Sequence, residues 1–233
     1  MHLTGRQADV LGRVMSTLAE PHVEADIRSE LGVLMLDLLG AQFYASYVWN
    51  DALVCFDSGV QINMDTANLL QYERYYQFHD PITLKLQQHR RAVRVTDVLA
   101  QEHLSRTEFF NDFLARDGLH WGVNLYAWSG ERNIGDMRIW RDRRRENFDA
   151  NDLAVLDLVR PAFVAALCRS RGESVNPSAP GSADNTAAAL LSEREGEVAG
   201  LAACGLRDKC SCASTSVTRT ARRCCWSFSV IGS

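Results

Sequence analysis

The sequence predicts an α+β domain, layered α-β-α around a central antiparallel sheet. Three observations predict it. Two stretches, 42–57 and 119–140, alternate aromatic and β-branched residues with others and fold back on themselves at turn residues. Apolar stripes at helical spacing lie before, between and after them. Hairpins separated by helices favour antiparallel pairing with helices on both faces. At 233 residues and 46% apolar content, the chain can bury a full core.

In order, residues 3–18 carry Val10, Leu11, Val14, Met15 and Leu18 as a helical stripe, ended by Pro21. Ile27, Leu31, Leu34 and Leu38 give a second amphipathic helix, stopped at Gly40. Helices this early pack on their own domain or on a partner subunit. Gln42–Trp49 reads as a strand with Phe43, Ala45, Tyr47 and Trp49 on one face; Asn50-Asp51 turns it, and Ala52–Asp57 returns. Asp65 caps a helix through Leu69, Leu70, Tyr72, Tyr75 and Tyr76, which His79-Asp80-Pro81 breaks. A short helix to about Arg90 and a short extended piece, Ala92–Val95, come next.

Glu108–Ala115 is predicted helical, anchored by Phe109, Phe110 and Phe113. Leu119–Trp128 and Asn133–Trp140 form the second hairpin around Ser129-Gly130. In its first strand Trp121, Val123, Leu125 and Ala127 alternate with Gly122, Asn124, Tyr126 and Trp128. Asp149 caps a long helix over Asn151–Arg169. The expected domain is therefore 1–170. Residues 171–188 are Ser, Ala, Pro, Asn and Gly-rich and read as a flexible linker.

Beyond the linker, Ser192 with Glu195 makes a capping box. Val198, Leu201 and Ala202 form a narrow apolar stripe, and Gly205 sits where a left-handed residue closes a helix. Leu191, Ser192, Arg194, Glu195, Glu197, Val198, Leu201, Ala202, Gly205 and Leu206 resemble the opening of the C-terminal helix-turn-helix of LuxR-type transcription regulators. Gly196 and Gly200 depart from it, each costing about 1 kcal/mol in a helix.

After Lys209 the likeness stops. From Cys210 to Ser233 there is no Leu and no acidic residue, and four of the seven cysteines lie there. So abrupt a change inside a motif looks like a shifted reading frame. Residues 189–209 are thus expected to be the first helix of the motif, and 210–233 a disordered Cys/Ser/Arg-rich tail. Cys210, Cys212, Cys224 and Cys225 could in principle hold zinc, but adjacent cysteines suit a closed tetrahedral site poorly. They read as incidental, and no metal or other cofactor is expected.

The resemblance implies a GAF/PAS-like α-β-α sensor ahead of the helix-turn-helix. Phe109-Phe-Asn-Asp-Phe-Leu114 and Asp117-Gly-Leu-His-Trp-Gly122 look typical of the family's orphan sensors. It also implies a quorum-sensing-like effector, a cytoplasmic dimer, and transcription control through DNA. With the recognition helix missing, this chain alone is expected to bind operator DNA weakly or not at all. As alternatives, it is a stand-alone small-molecule binding module, or a dominant-negative partner that dimerises with a full-length regulator through 3–38 and 151–169.

The residues offer one sharp pocket. Tyr72, Tyr75 and Tyr76 are read as sharing a helical face, with Asp80 beyond them; phenols and one acid could orient a polar-headed ligand. In the lactone-binding branch of the family, the Asp of an Asp-Pro pair holds the ligand amide, which maps onto Asp80. That branch also has tryptophans around this Asp, and this chain has none between Asn50 and His120. The plainer reading is core tyrosines with Asp80 capping the next helix. Trp49 and Trp121 either line the cavity or belong to core and sheet surface. Gly122 admits either a ligand or a neighbouring side chain.

Arg138, Arg141, Arg143, Arg144 and Arg145 read as a solvated basic connection rather than a phosphate site, given a net charge of −4. Enzyme chemistry is not expected. The chain has no Gly-rich phosphate loop, no H-E-x-x-H and no G-x-S-x-G, and its six histidines are scattered. Cys55 and Cys168 are expected to be buried thiols, and no apolar run is long enough for a membrane span.

Overall fold

In the computed structural model, which describes residues 1–50 and 53–174, the first two helices pair and lie across a sheet. Helix α1, Gly5–Ala19, starts at Thr4, whose hydroxyl and the Gln7 side chain satisfy each other's backbone N–H. Helix α2, Glu24–Leu39, closes on Gly40 in the left-handed region, φ 58°. Of the stripe on α1, Val10, Val14 and Leu18 are buried and Met15 is exposed; Ile27, Leu31, Leu34 and Leu38 of α2 are buried.

Five antiparallel strands make one sheet. They are β1 Phe43–Asn50, β2 Cys55–Ile62, β3 Val93–Arg94, β4 Trp121–Ser129 and β5 Arg132–Arg141, in the order β2-β1-β5-β4-β3. Against one face lie α1, α2 and α7 (Ala150–Ser170), packed on Tyr44, Val123, Leu125, Met137 and Ile139. Against the other lie α3 (Thr66–Arg74), α4 (Thr83–Gln87), α5 (Val95–Val98) and α6 (Gln101–Leu104), over Ala45, Tyr47, Tyr126 and Trp140. The α+β, layered expectation holds, and so does the predicted alternation along β1 and β4.

Five elements differ from expectation. Strand β2 runs to Ile62 rather than ending at Asp57, because a bulge absorbs Ser58 and Gly59 opposite Tyr47. Ser58 takes φ 52° there, and buried Arg28 fixes the bulge by donating to the carbonyls of Ser46 (2.9 Å) and Ser58 (2.8 Å). The expected helix at 108–115 is instead a π-helical turn, Phe109–Phe113, running into a 3₁₀ turn, Leu114–Arg116. Helices α5 and α6, four residues each, are too short to leave a periodic signal. Helix α3 ends at Arg74, where Tyr75 leaves helical geometry (φ −136°, ψ −59°) and a 3₁₀ turn, Tyr76–Phe78, takes over.

The long helix α7 begins as expected at Asp149, which accepts the N–H groups of Asn151 (2.8 Å) and Asp152 (2.9 Å). Cys55 and Cys168 are buried, as expected. Among the described residues no helix is long and apolar enough to cross a membrane, and no cluster of His, Cys, Asp or Glu could hold a metal. The readings for Asp51, Ala52, the linker beyond 174, the tail 210–233, and Ser192, Arg194, Glu195, Val198, Leu201, Gly205 and Lys209 lie outside the described residues.

Candidate functional site

Strand β5 carries Asp136, Arg138 and Trp140 at a spacing of two, so all three face the layer of short helices. Asp136 stands where β1 leaves β5. Its carboxylate accepts the N–H of Tyr47 (2.7 Å) and the Nε–H of Arg138 (2.8 Å). Arg138 is buried, 5% exposed, and its guanidinium is ringed by aromatic faces. The ring centres of Phe56, Tyr47 and Tyr72 lie 4.5, 4.7 and 5.1 Å from its central carbon. Its Nη1 donates to the Tyr72 hydroxyl, which reaches towards Asp80 Oδ2 at 3.4 Å.

Beside this network lies a cavity of about 20 Å³, the room one water takes. Polar groups of Tyr47, Tyr72, Asp80, Thr83, Asn124 and Arg138 line it; Met64, Phe113, Leu114, Leu119 and Trp140 supply apolar walls. Three buried polar atoms on its lining residues have no hydrogen-bond partner among the described residues: Arg138 Nη2, Asn124 Oδ1 and the Tyr47 hydroxyl. Asn124 and Tyr47 are each 2% exposed. Leaving buried polar groups unmatched costs about 1–3 kcal/mol each, a cost that a water or a ligand group in the cavity would relieve.

The electrostatics follow from burial. For Arg138, burial works against the charge, but the Asp136 carboxylate together with Tyr72, Tyr126 and Tyr47 outweighs it, so the guanidinium stays protonated. Burial pushes the Asp136 carboxyl above its ordinary range, and Arg138 pulls it part of the way back. Asp80 is likewise pushed up by burial, against the Thr83 hydroxyl and the N–H groups it accepts. Burial holds the phenols of Tyr47 and Tyr72 neutral.

The expected site residues separate. Tyr72 and Asp80 line the cavity. Asp80 Oδ1 accepts the N–H groups of Ile82 (2.8 Å) and Thr83 (3.0 Å) and Oδ2 the Thr83 hydroxyl, so it starts α4 as a cap, with Pro81 preset behind it. The three tyrosines do not share a face, since the helix stops at Arg74. Tyr76 is buried against Phe109 and Phe113, and Tyr75 is 38% exposed, stacked on His79. Trp49 packs edge-on against Phe56, 4.9 Å between centres. Trp121 lies over the opposite core and donates Nε1–H to the Arg145 carbonyl at 2.9 Å. Gly122 makes room for packing: a Cβ there would sit 2.6 Å from both the Trp140 ring and Val95.

Arg138 corrects the reading of a basic run on the surface. It and Arg141 are residues of β5, and Arg141 is tied to Asp152 at 3.1 Å. The signal that would have found Arg138 is the two-residue spacing Asp136-x-Arg138-x-Trp140, a charge pair and an indole on one strand face. Asn124, Tyr47 and Thr83 were readable only as strand or helix positions.

No protein-family model matches this sequence, and no curated protein matches it. Solved structures do. The GAF domain of a phosphoenolpyruvate-protein phosphotransferase from Acinetobacter aligns at TM-score 0.55 and 11% identity, over 78% of this chain and all (100%) of that one. The VqsR LBD domain from Pseudomonas aeruginosa aligns at 0.53 and 15%, over 73% and 99%. CepR2 of Burkholderia cenocepacia, an N-acylhomoserine-lactone-dependent LuxR-family transcription factor, aligns at 0.50 and 15%, over 70% and 93%. What these likenesses establish is a fold common to GAF domains and to domains of LuxR-family regulators.

Proposed function

We propose that residues 1–170 are the sensor of a LuxR-type transcription regulator and that a small molecule binds in the cavity beside Arg138. The observation that carries this is the trio of buried, unmatched polar atoms on the residues lining one cavity, inside a fold that VqsR and CepR2 share. The residues at 191–206 support the regulator reading from the sequence side. A fold alone does not separate binding from catalysis; the binding reading rests on side chains placed to hold rather than to react. Arg138 is locked on Asp136, and Asp80 is occupied as a cap.

At about 20 Å³ the cavity admits a ligand only if a wall yields. Phe113 and Leu114 sit where the π turn meets the 3₁₀ turn, and such irregular turns recur at functional sites. The wall they form is the one proposed to move. Ligand binding would then stabilise the opened form over the closed one.

The test is a thermal-shift screen of the full chain with acyl-homoserine lactones, aromatic acids, indoles and amides. A ligand at a hundred times its Kd adds about 2.7 kcal/mol of stability. A hit should raise the unfolding midpoint of the wild type and fail to raise that of Tyr72→Phe. If no compound shifts the midpoint, or every shift survives in Tyr72→Phe, the sensor assignment at this cavity is wrong.

A further inference from the structure

An open sheet ends in two strands whose outer backbone groups have no strand to pair with. Here those strands are β2 and β3. Successive residues of a strand turn their N–H and C=O groups to opposite sides, so an edge strand sends every second N–H outward. At the β3 edge the Ala92 N–H is taken by Asp157 Oδ1 at 2.8 Å and the Arg94 N–H by Asp97 Oδ2 at 3.2 Å. At the β2 edge the Phe56 N–H donates to Gln77 Oε1 at 2.8 Å. Gln77 is oriented for this, because its Nε2 donates to the Glu73 carbonyl and leaves Oε1 for the strand. The Glu73 side chain lies against the bulge: a Cβ on Gly59 would sit 2.9 Å from Glu73 Oε1. Burial and then Asp57 lift the Glu73 carboxyl, and the Gly59 N–H draws it part of the way back.

Both edges are thus met by acceptors on side chains, but the two differ in what this prevents. Strand β3 is two residues long and runs straight into α5, so a further strand finds little to follow. Strand β2 has eight residues. Paired antiparallel with the β2 of a second copy, it would repeat the same contacts about a twofold axis, which makes the edge self-complementary. An acceptor already seated on an outward N–H takes the donor that such a strand needs. Glu73 and Asp57 also put like charge beside this edge, and a second copy would double it.

We propose that Gln77 and Glu73 guard the free edge of β2, and that what they exclude is the β2 strand of a second copy. This holds whether or not a ligand binds beside Arg138.

The experiment uses the full chain under reducing conditions, because its seven cysteines could otherwise cross-link copies. Wild type, the double variant Glu73→Ala with Gln77→Ala, and Asp157→Ala are compared by sedimentation velocity from about 1 µM to about 1 mM, the range in which weak association shows. Asp157→Ala strips an acceptor from the short edge and reports what loosening a helix contact does by itself. The double variant should gain a reversible species of twice the wild-type mass, with an association constant at least about tenfold above that of the wild type. Asp157→Ala should sediment as the wild type does. Residue-resolved amide exchange locates the contact: the Phe56 N–H of the double variant should exchange faster than in the wild type when dilute, and regain protection as the larger species forms.

A double variant that keeps the wild-type mass throughout overturns the proposal. So does a larger species that leaves the Phe56 amide unprotected, or one that Asp157→Ala forms equally well. If the double variant does not fold, Gln77→Ala alone is held to the same outcomes.

Discussion

Burying Arg138 costs several kcal/mol unless its charge is met, and Asp136 meets it with a 2.8 Å contact and a backbone N–H held on the other oxygen. Removing one member alone strands the other. Arg138→Met should therefore lose about 3–5 kcal/mol in urea unfolding, while Arg138→Met with Asp136→Asn should recover about half or more of that. Full additivity of the two changes would mean that the pair is not coupled. Asp80 makes a second claim, with a sign. Burial lifts its folded pKa above the ordinary 3.8, so the folded state holds the proton more tightly than the unfolded chain. Its contribution is present below about that pH and is lost as pH rises through the lifted value. Asp80→Asn keeps the cap, because Asn accepts N–H groups equally well, and does not titrate. Its stability relative to wild type should therefore climb as pH rises above about 4. Asp80→Ala removes the cap and should cost about 1–2 kcal/mol throughout. A flat difference between Asn variant and wild type over that range would sink the assignment of Asp80 as a buried, lifted acid.

At the scale of elements, periodicity is a good guide where an element is long and one-sided. The period of two in β4 places Val123 and Leu125 against one core and Tyr126 against the other, because a register slip would exchange every side chain. It fails for Tyr72, Tyr75 and Tyr76, since nothing in their spacing shows that α3 stops at Arg74. It fails at 109–116 for a similar reason: an apolar i, i+4 pair such as Phe109 and Phe113 does not distinguish α from π geometry. Gly122 is ambiguous in sequence, and the packing decides it. Gly122→Ala would drive a Cβ to 2.6 Å from Trp140 and Val95, so one of them must give. The expected cost is about 1–3 kcal/mol, with Trp140 pushed towards the cavity it lines. Circular dichroism melts should show the loss. Wild-type stability in that variant would mean that Trp140 has slack the close contacts do not suggest.

The molecule as a whole is legible in its architecture and opaque at its centre. Two hairpins with intervening helices dictate a layered body, because each sheet face must be covered. The site is non-local: Tyr47, Tyr72, Asn124 and Arg138 come from three strands and a helix, and only their assembly puts them around one space. The opposite holds at the carboxyl end, where a local run of residues carries all the information. The likeness to a helix-turn-helix runs from Leu191 to Leu206 and stops after Lys209, before the helix that would read bases in the major groove. Residues 210–233 include arginines but no apolar register to hold a helix on a scaffold, and the chain's net charge of −4 gives no general attraction to phosphate. If the motif is interrupted as proposed and makes no base contacts, only the salt-dependent backbone attraction would remain, giving a Kd of about 10⁻⁴–10⁻⁶ M or weaker at physiological salt. Anisotropy titration of the full chain against a pool of promoter fragments should show no fragment bound in the nanomolar range, and whatever binding appears should fade steeply as salt rises. One fragment held tightly, with a shallow salt slope and strong preference over its scrambled sequence, would mean that a reader of DNA is present after all. The interrupted-motif reading would then fall, while the cavity around Arg138 would still stand on its own geometry.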